Sequence, residues 1–142
     1  MNDELPEYTF DEIEIGLTKQ FQITITESMI DDFAKISGDY NPLHMDKEYA
    51  GNTGFKKRVC HGMLLSSFFS RLVGMYLPGK NALYLSQSLK FPAPCFIDDK
   101  VIITGKVVSK SESTHIITLK TTILNESGKC LVEGDAKVLL RE

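Results

Sequence analysis

The sequence predicts an α+β chain in which a strongly bent antiparallel sheet wraps around one long central helix. Three observations carry that expectation. Residues 62–77, GMLLSSFFSRLVGMYL, place apolar side chains around most of a helical wheel, so this helix should be buried on nearly every side. After residue 80 the texture turns to β-branched runs, with strand candidates at 82–91, 101–108, 114–124 and 129–140. Short polar connections, SKSES and NESG, join the last three and favour an antiparallel meander. A sheet must cover its apolar face, and only residues 62–77 are long and apolar enough to do it.

Taken in order, residues 1–9 are polar, carry Pro6 and read as a loose lead-in to a single domain spanning 1–142. Phe21, Ile23 and Ile25 alternate with polar residues, the period of a half-buried strand. Thr26 can cap a following helix, with Glu27 in its first turn, where negative charge suits the free amides. Met29, Ile30, Phe33 and Ala34 then form its apolar face, and Gly38 ends it. Asn41-Pro42 imposes a non-helical bend, because the residue before proline avoids the helical region. Asp46 opens another short helical segment, for which Gly51 and Gly54 are brakes, and Pro78-Gly79 stops the long helix.

The 142 residues carry 16 basic and 19 acidic side chains, a formal net charge of −3. No broad basic surface follows, and nucleic acid is a poor partner. Cys60, Cys95 and Cys130 are widely spread with no CxxC, which is neither a disulfide framework nor a zinc pattern. The N-terminus lacks a basic-then-apolar signal and no run is long enough to span a membrane, so a cytoplasmic location is expected. GxGxxG, GxxxxGK[ST] and GxSxG are absent, leaving dinucleotide binding, P-loop chemistry and serine-elbow hydrolysis unsupported.

Chemistry concentrates in residues 37–46, SGDYNPLHMD. Asp39 and His44 flank a turn that can aim both side chains at one point, where carboxylate and imidazole could grip and deprotonate a water. Two plainer roles compete: Asp39 could make an Asx-turn, and His44 could be a core histidine bonded to a carbonyl. The amide of Gly62, at the start of the long helix, could face an oxygen gaining negative charge, or the glycine could merely ease entry into the helix. His61 either orients that entry or is structural, and Asn41 and Ser70 are uncharged hydrogen-bonding partners. Lys56-Lys57-Arg58 is a solvated loop or a phosphate contact, whereas three histidines without HExxH give no metal site.

Residues 33–46 (FAKISGDYNPLHMD), 55–79 (FKKRVCHGMLLSSFFSRLVGMYLPG) and 84–99 (YLSQSLKFPAPCFIDD) together resemble the MaoC-like branch of the hot-dog fold. More narrowly, they are similar to the (R)-specific enoyl-CoA hydratases that feed polyhydroxyalkanoate synthesis. The resemblance implies a homodimer with active sites near the subunit interface. It also implies reversible hydration of trans-2-enoyl-CoA to (R)-3-hydroxyacyl-CoA, with no cofactor beyond the CoA that is part of the substrate. It puts the catalytic aspartate on Asp39, the histidine on His44, the supporting asparagine on Asn41, the helix-start glycine on Gly62 and an active-site serine on Ser70. On this reading bulk at Leu72, Val73 or Tyr76, or in the opposing strands, would set the depth of an acyl slot, and Lys56, Lys57, Arg58 or Lys90 would meet the CoA phosphates.

A broad sheet with few helices over its edges independently favours a dimer that extends the sheet. Rival readings keep the architecture and change the chemistry. They are a dehydratase of acyl-carrier-protein or dicarboxyl-CoA thioesters, a hot-dog thioesterase, and a non-catalytic acyl-CoA-binding module. The paired Asp39 and His44 favour hydration.

Overall fold

A computed structural model describes residues 4–141. Its elements run β1 (Thr18–Thr24), α1 (Glu27–Ser37), α2 (Pro42–Met45), α3 (Lys47–Gly51), α4 (Gly62–Met75), β2 (Ala82–Gln87), β3 (Lys100–Ser111), β4 (Ile116–Asn125) and β5 (Cys130–Leu140). The strands form one antiparallel sheet in the order β1-β3-β4-β5-β2. The expected meander therefore holds for β3, β4 and β5, but β2 does not pair with β3. The long connection after β2 carries the chain across the sheet, leaving β2 beside β5 at the far edge. Register shifts in β3 at Val107/Ser109, in β2 at Tyr84/Ser86 and between β4 and β5 add local bend and twist.

Helix α4 lies in the concavity. Leu65, Phe69 and Leu72 pack with Val101, Ile103 and Ile123 in one cluster, while Val73 and Leu77 join Val107, Leu119 and Val138 in a second. The approach is close: a Cβ on Gly105 of β3 would lie 2.8 Å from Leu72 Cδ2. Burial of α4 is nevertheless one-sided, contrary to its nearly all-apolar wheel. Met63 is 57% exposed, and Ser67 and Ser70 share its uncovered face. That stripe, at i, i+4 and i+7, is the side the sheet does not reach. The helix also ends at Met75, two residues short of the expected limit.

Local signals before α4 behave as their chemistry requires. Thr26 Oγ1 accepts from Met29 N at 3.2 Å, and Gly38, at φ 80°, closes α1. Asn41, at ψ 132°, stays out of the helical region as expected, and a short helix starts directly after it at Pro42. Proline needs no N–H in the first turn, and Asn41 Oδ1 accepts from Leu43 N at 3.0 Å. The described part of the lead-in is not loose: Glu7 bridges Gly79, and Lys80 N donates to Pro6 O at 2.9 Å. Residues 1–3 lie outside the described range. No described helix is long and apolar enough to cross a membrane.

Candidate active site

The turn between α1 and α2 sets Asp39 in place. Asp39 N donates to Ser37 Oγ at 3.1 Å, and Asp39 Oδ1 accepts from Asn41 N at 3.1 Å. This local bond occupies one carboxylate oxygen and leaves Oδ2 free. His44, on α2, lies near Val59 O, with Nδ1 2.7 Å away. A carbonyl can only accept, so Nδ1 carries the proton and a neutral His44 presents an Nε2 lone pair. That Nε2 is 4.0 Å from Asp39 Oδ2.

A 4.0 Å gap is too long for a direct hydrogen bond. It suits one water: placed about 2.8 Å from each atom, it would see the two acceptors at roughly a right angle, near the angle between its own hydrogens. Both hydrogens would then be held and an oxygen lone pair would face outward. His44 is part-buried and Asp39 half-exposed, so the water is reachable from outside.

His61 supports this arrangement from beneath. Its Nε2 lies 3.0 Å from Asp39 O, its ring stacks on His44 with centroids 4.1 Å apart, and Phe33 tilts against it at 4.8 Å. The imidazole is 2% exposed and its Nδ1 has no hydrogen-bond partner. Burial holds His61 below the usual histidine value; the Asp39 carbonyl favours the charged form and His44 opposes it. Asp39, His44 and His61 bring one ligand atom each within 4.8 Å of one another. This is still a poor metal site. The two rings stack 4.1 Å apart at 28°, so their planes do not meet at bonding distance from both nitrogens.

Next to this pair is the N-terminus of α4. His61 supplies no side-chain cap, and Leu64 N is the first α4 amide bonded to His61 O. The amides of Gly62 and Met63 therefore have no intrahelical carbonyl. His44, Gly62 and Met63 line a recess of ≈ 400 Å³ with Phe91, Cys95 and Leu131. A Cβ on Gly62 would lie 2.8 Å from the Phe91 ring, so only glycine permits this contact as it stands. Cys60 and Cys95 are buried neighbours in the wall, joined by Cys60 N to Cys95 O at 2.7 Å. A hydrogen bond to Cys60, followed by burial, pushes the Cys95 thiol strongly up, so that thiol stays protonated. Met63 also borders a second groove of ≈ 390 Å³ on the open face of α4, where Ser70 lies with Phe33, Tyr84 and Leu89.

The other candidates separate. Asn41 caps α2 and shapes the turn, and its side-chain oxygen is used there. Arg58 is corrected from phosphate contact to structural clamp. It is 8% exposed, with Nη1 2.8 Å from Glu27 Oε1, Nη2 3.0 Å from Asp31 Oδ1 and Nε 2.6 Å from His44 O. Lys56 and Lys57 are exposed, the latter over the Phe96 ring at 4.6 Å. Lys90 borders a different recess with Lys120, Glu133 and Asp135. Leu72 and Val73 face the sheet as core residues, and Tyr76 stacks on Phe21; none of the three borders either recess beside Met63. From sequence Phe91 reads as an ordinary strand residue. The cue to its place lies in Gly62, whose missing side chain makes the room.

A bent antiparallel sheet holding one helix in its concavity is the hot-dog architecture, here carrying a carboxylate–imidazole pair beside the helix N-terminus. The chain belongs to the MaoC-like family: the model of the MaoC like domain matches residues 11–128. It is 40% identical over 128 residues to the (R)-specific enoyl-CoA hydratase of Aeromonas caviae, covering 90% of this chain and 96% of the relative. The solved structure of the A. caviae (R)-hydratase involved in PHA biosynthesis superposes with a TM-score of 0.88, covering 90% of this chain and 97% of that one. The (R)-specific enoyl-CoA hydratase of Rhodospirillum rubrum is 41% identical over 138 residues, 97% of this chain and 95% of the relative. Unliganded R-hydratase PhaJ1 from Pseudomonas aeruginosa gives a TM-score of 0.89 at 34% identity, covering 94% of this chain and 85% of that one.

Proposed function

We propose that this chain catalyses the reversible hydration of trans-2-enoyl-CoA to (R)-3-hydroxyacyl-CoA. The observation that carries the reading is the 4.0 Å gap between Asp39 Oδ2 and His44 Nε2, two acceptors beside an uncapped helix start. The similarity to (R)-specific enoyl-CoA hydratases at 40% and 41% identity supports the same chemistry.

The enoyl thioester has an electrophilic β-carbon. Water held between Asp39 and His44 attacks it as one of its protons passes to His44 Nε2 or Asp39 Oδ2. The electrons of the double bond move onto the thioester oxygen as an enolate, which the Gly62 amide stabilises with the dipole of α4. The pair then returns a proton to the α-carbon, the enolate collapses, and the carbon–sulfur bond stays intact. No step calls for a metal or a further cofactor. Lys56 and Lys57, exposed near the recess, would meet the CoA phosphates.

The reading includes a homodimer and a cytoplasmic location. Strand β2 ends the sheet, and Leu83 and Leu85 on it are 46% and 48% exposed, which suits a second copy extending the sheet. Sedimentation at micromolar concentration decides the dimer; a monomer removes it. Loss of the enoyl-thioester absorbance of crotonyl-CoA, with chiral analysis of the product, tests the reaction. Asp39→Asn should lower kcat by roughly 10²–10⁴, the usual worth of a general acid or base. Retained activity in that variant would sink the assignment, and free CoA thiol released from saturated acyl-CoA would make the protein a thioesterase.

A further inference from the structure

We infer that Tyr84 is the end wall for the substrate's acyl chain and so sets the longest chain accepted. The inference rests on the acyl-thioester reading above. It begins with the direction of the groove. Residues 76–81 turn the chain from α4 into β2, which runs back along the helix: Tyr84 packs against the cluster holding Val73 and Leu77, whereas Phe91 lies against Gly62. Met63 borders both recesses. A chain leaving a thioester at His44 and Gly62 can therefore pass Met63 along the open face of α4. It would meet Tyr84 near Ser70, about 12 Å along the helix from Gly62.

The groove suits hydrocarbon although serines border it. Ser66 Oγ donates to Gly62 O at 2.9 Å and Ser67 Oγ to Leu64 O at 2.6 Å, so both hydroxyls are engaged by the helix itself. The tyrosine hydroxyl is also withdrawn, donating to Gln87 Oε1. Gln87 Nε2 donates to Thr121 Oγ1 at 2.9 Å and to Ser88 O at 2.8 Å, and Thr121 Oγ1 donates to Gly134 O at 2.9 Å. The register shift between Tyr84 and Ser86 makes this chain of bonds geometrically accessible. Without it, residues 84 and 87 would point to opposite faces of the strand. Burial pushes the Tyr84 phenol up to about 12, so it remains a donor at neutral pH.

The ring is consequently a fixed wall rather than a movable flap. Swinging it aside would break its bond to Gln87, whose amide is committed to fully buried Thr121. Replacing the ring by a methyl group would open the groove without reaching Asp39, His44 or Gly62.

Calorimetric binding of saturated butyryl-, hexanoyl-, octanoyl-, decanoyl- and dodecanoyl-CoA reads the wall without requiring turnover. In the native protein, affinity should rise by up to about fourfold per added methylene, the worth of burying one CH₂, and then level off. Tyr84→Ala should move the plateau to longer chains and raise the dodecanoyl-to-hexanoyl affinity ratio at least tenfold. Tyr84→Phe, which keeps the ring but loses the bond to Gln87, should move the plateau toward longer chains by less than Tyr84→Ala does, and Tyr84→Trp should move it to shorter chains. A native profile in folded Tyr84→Ala overturns the proposal; should that variant not fold, an unmoved plateau in Tyr84→Trp does so. The two readings fail separately. Absent crotonyl-CoA hydration with a shifting plateau sinks the hydratase and keeps the wall, hydration with an unmoved plateau sinks only the wall, and absence of acyl-CoA binding sinks both.

Discussion

Replacing Arg58 by methionine should cost both stability and activity, because this guanidinium ties α1 to the turn that holds His44. The change keeps most of the apolar stem and removes three contacts: Glu27 at 2.8 Å, Asp31 at 3.0 Å and the His44 carbonyl at 2.6 Å. The carboxylates are 66% and 53% exposed and would rehydrate, so each ion pair is worth only about 0.2–1 kcal/mol. The charge-assisted bond to His44 O matters more, about 1.5–3 kcal/mol. Together they predict a loss of about 2–5 kcal/mol, or roughly 7–17 °C in Tm for a chain of this size. Activity should fall as well. Val59, which follows Arg58, offers the carbonyl that fixes the His44 tautomer, and Val59 N is itself bonded to Leu43 O at 3.2 Å. Urea unfolding with parallel crotonyl-CoA kinetics measures both effects, and Arg58→Lys should recover less than half of the stability because it lacks the planar fork. A loss under about 0.5 kcal/mol with unchanged kcat would refute the clamp.

Two further expectations concern neighbours of the Asp39–His44 pair. In Gly62→Ala the new methyl group would meet the Phe91 ring at 2.8 Å; that ring is 48% exposed and can swing outward. Thermal melting should therefore show a loss of only about 1 kcal/mol, while kcat/KM for crotonyl-CoA falls at least tenfold. His61 is held neutral by burial, so between its lowered folded value and the ordinary value near 6.5 the unfolded chain binds more protons. Stability should consequently rise with pH through that window, be fully present above about 6.5 and be lost as pH falls below it. Urea midpoints between pH 5 and 8 measure the slope, which should flatten in His61→Gln.

The candidate turn was legible because its chemistry is local. Asp39 and His44 each offered a catalytic and a plainer structural role, and the two are not exclusive, because the structural contacts use only one polar atom of each side chain. Asp39 Oδ1 makes the turn while Oδ2 faces His44, and His44 Nδ1 meets a carbonyl while Nε2 faces Asp39. Arg58 could not be assigned so readily, since Glu27 and Asp31 lie far back in the chain and nothing in KKR separates the buried member from its exposed neighbours. The open face of α4 was hidden for a related reason. Hydropathy indicates that Met63, Leu64 and Leu65 are apolar, but only the reach of the sheet determines which of them is left uncovered.

That uncovered face links the fold to its proposed chemistry. If the sheet enclosed α4 completely, the helix N-terminus could still polarise an oxygen but no chain could run alongside it. Here the sheet buries Leu65, Phe69 and Leu72 and leaves Met63, Ser67 and Ser70 outward. The dipole of the helix therefore ends at Gly62 while an apolar track leads away from the same point. The sheet edge that borders this track also supplies Tyr84, held through Gln87 to Thr121 in the middle of the sheet. Reaction and chain length would then be controlled at separate points along one helix, allowing the wall to vary while Asp39, His44 and Gly62 stay as they are.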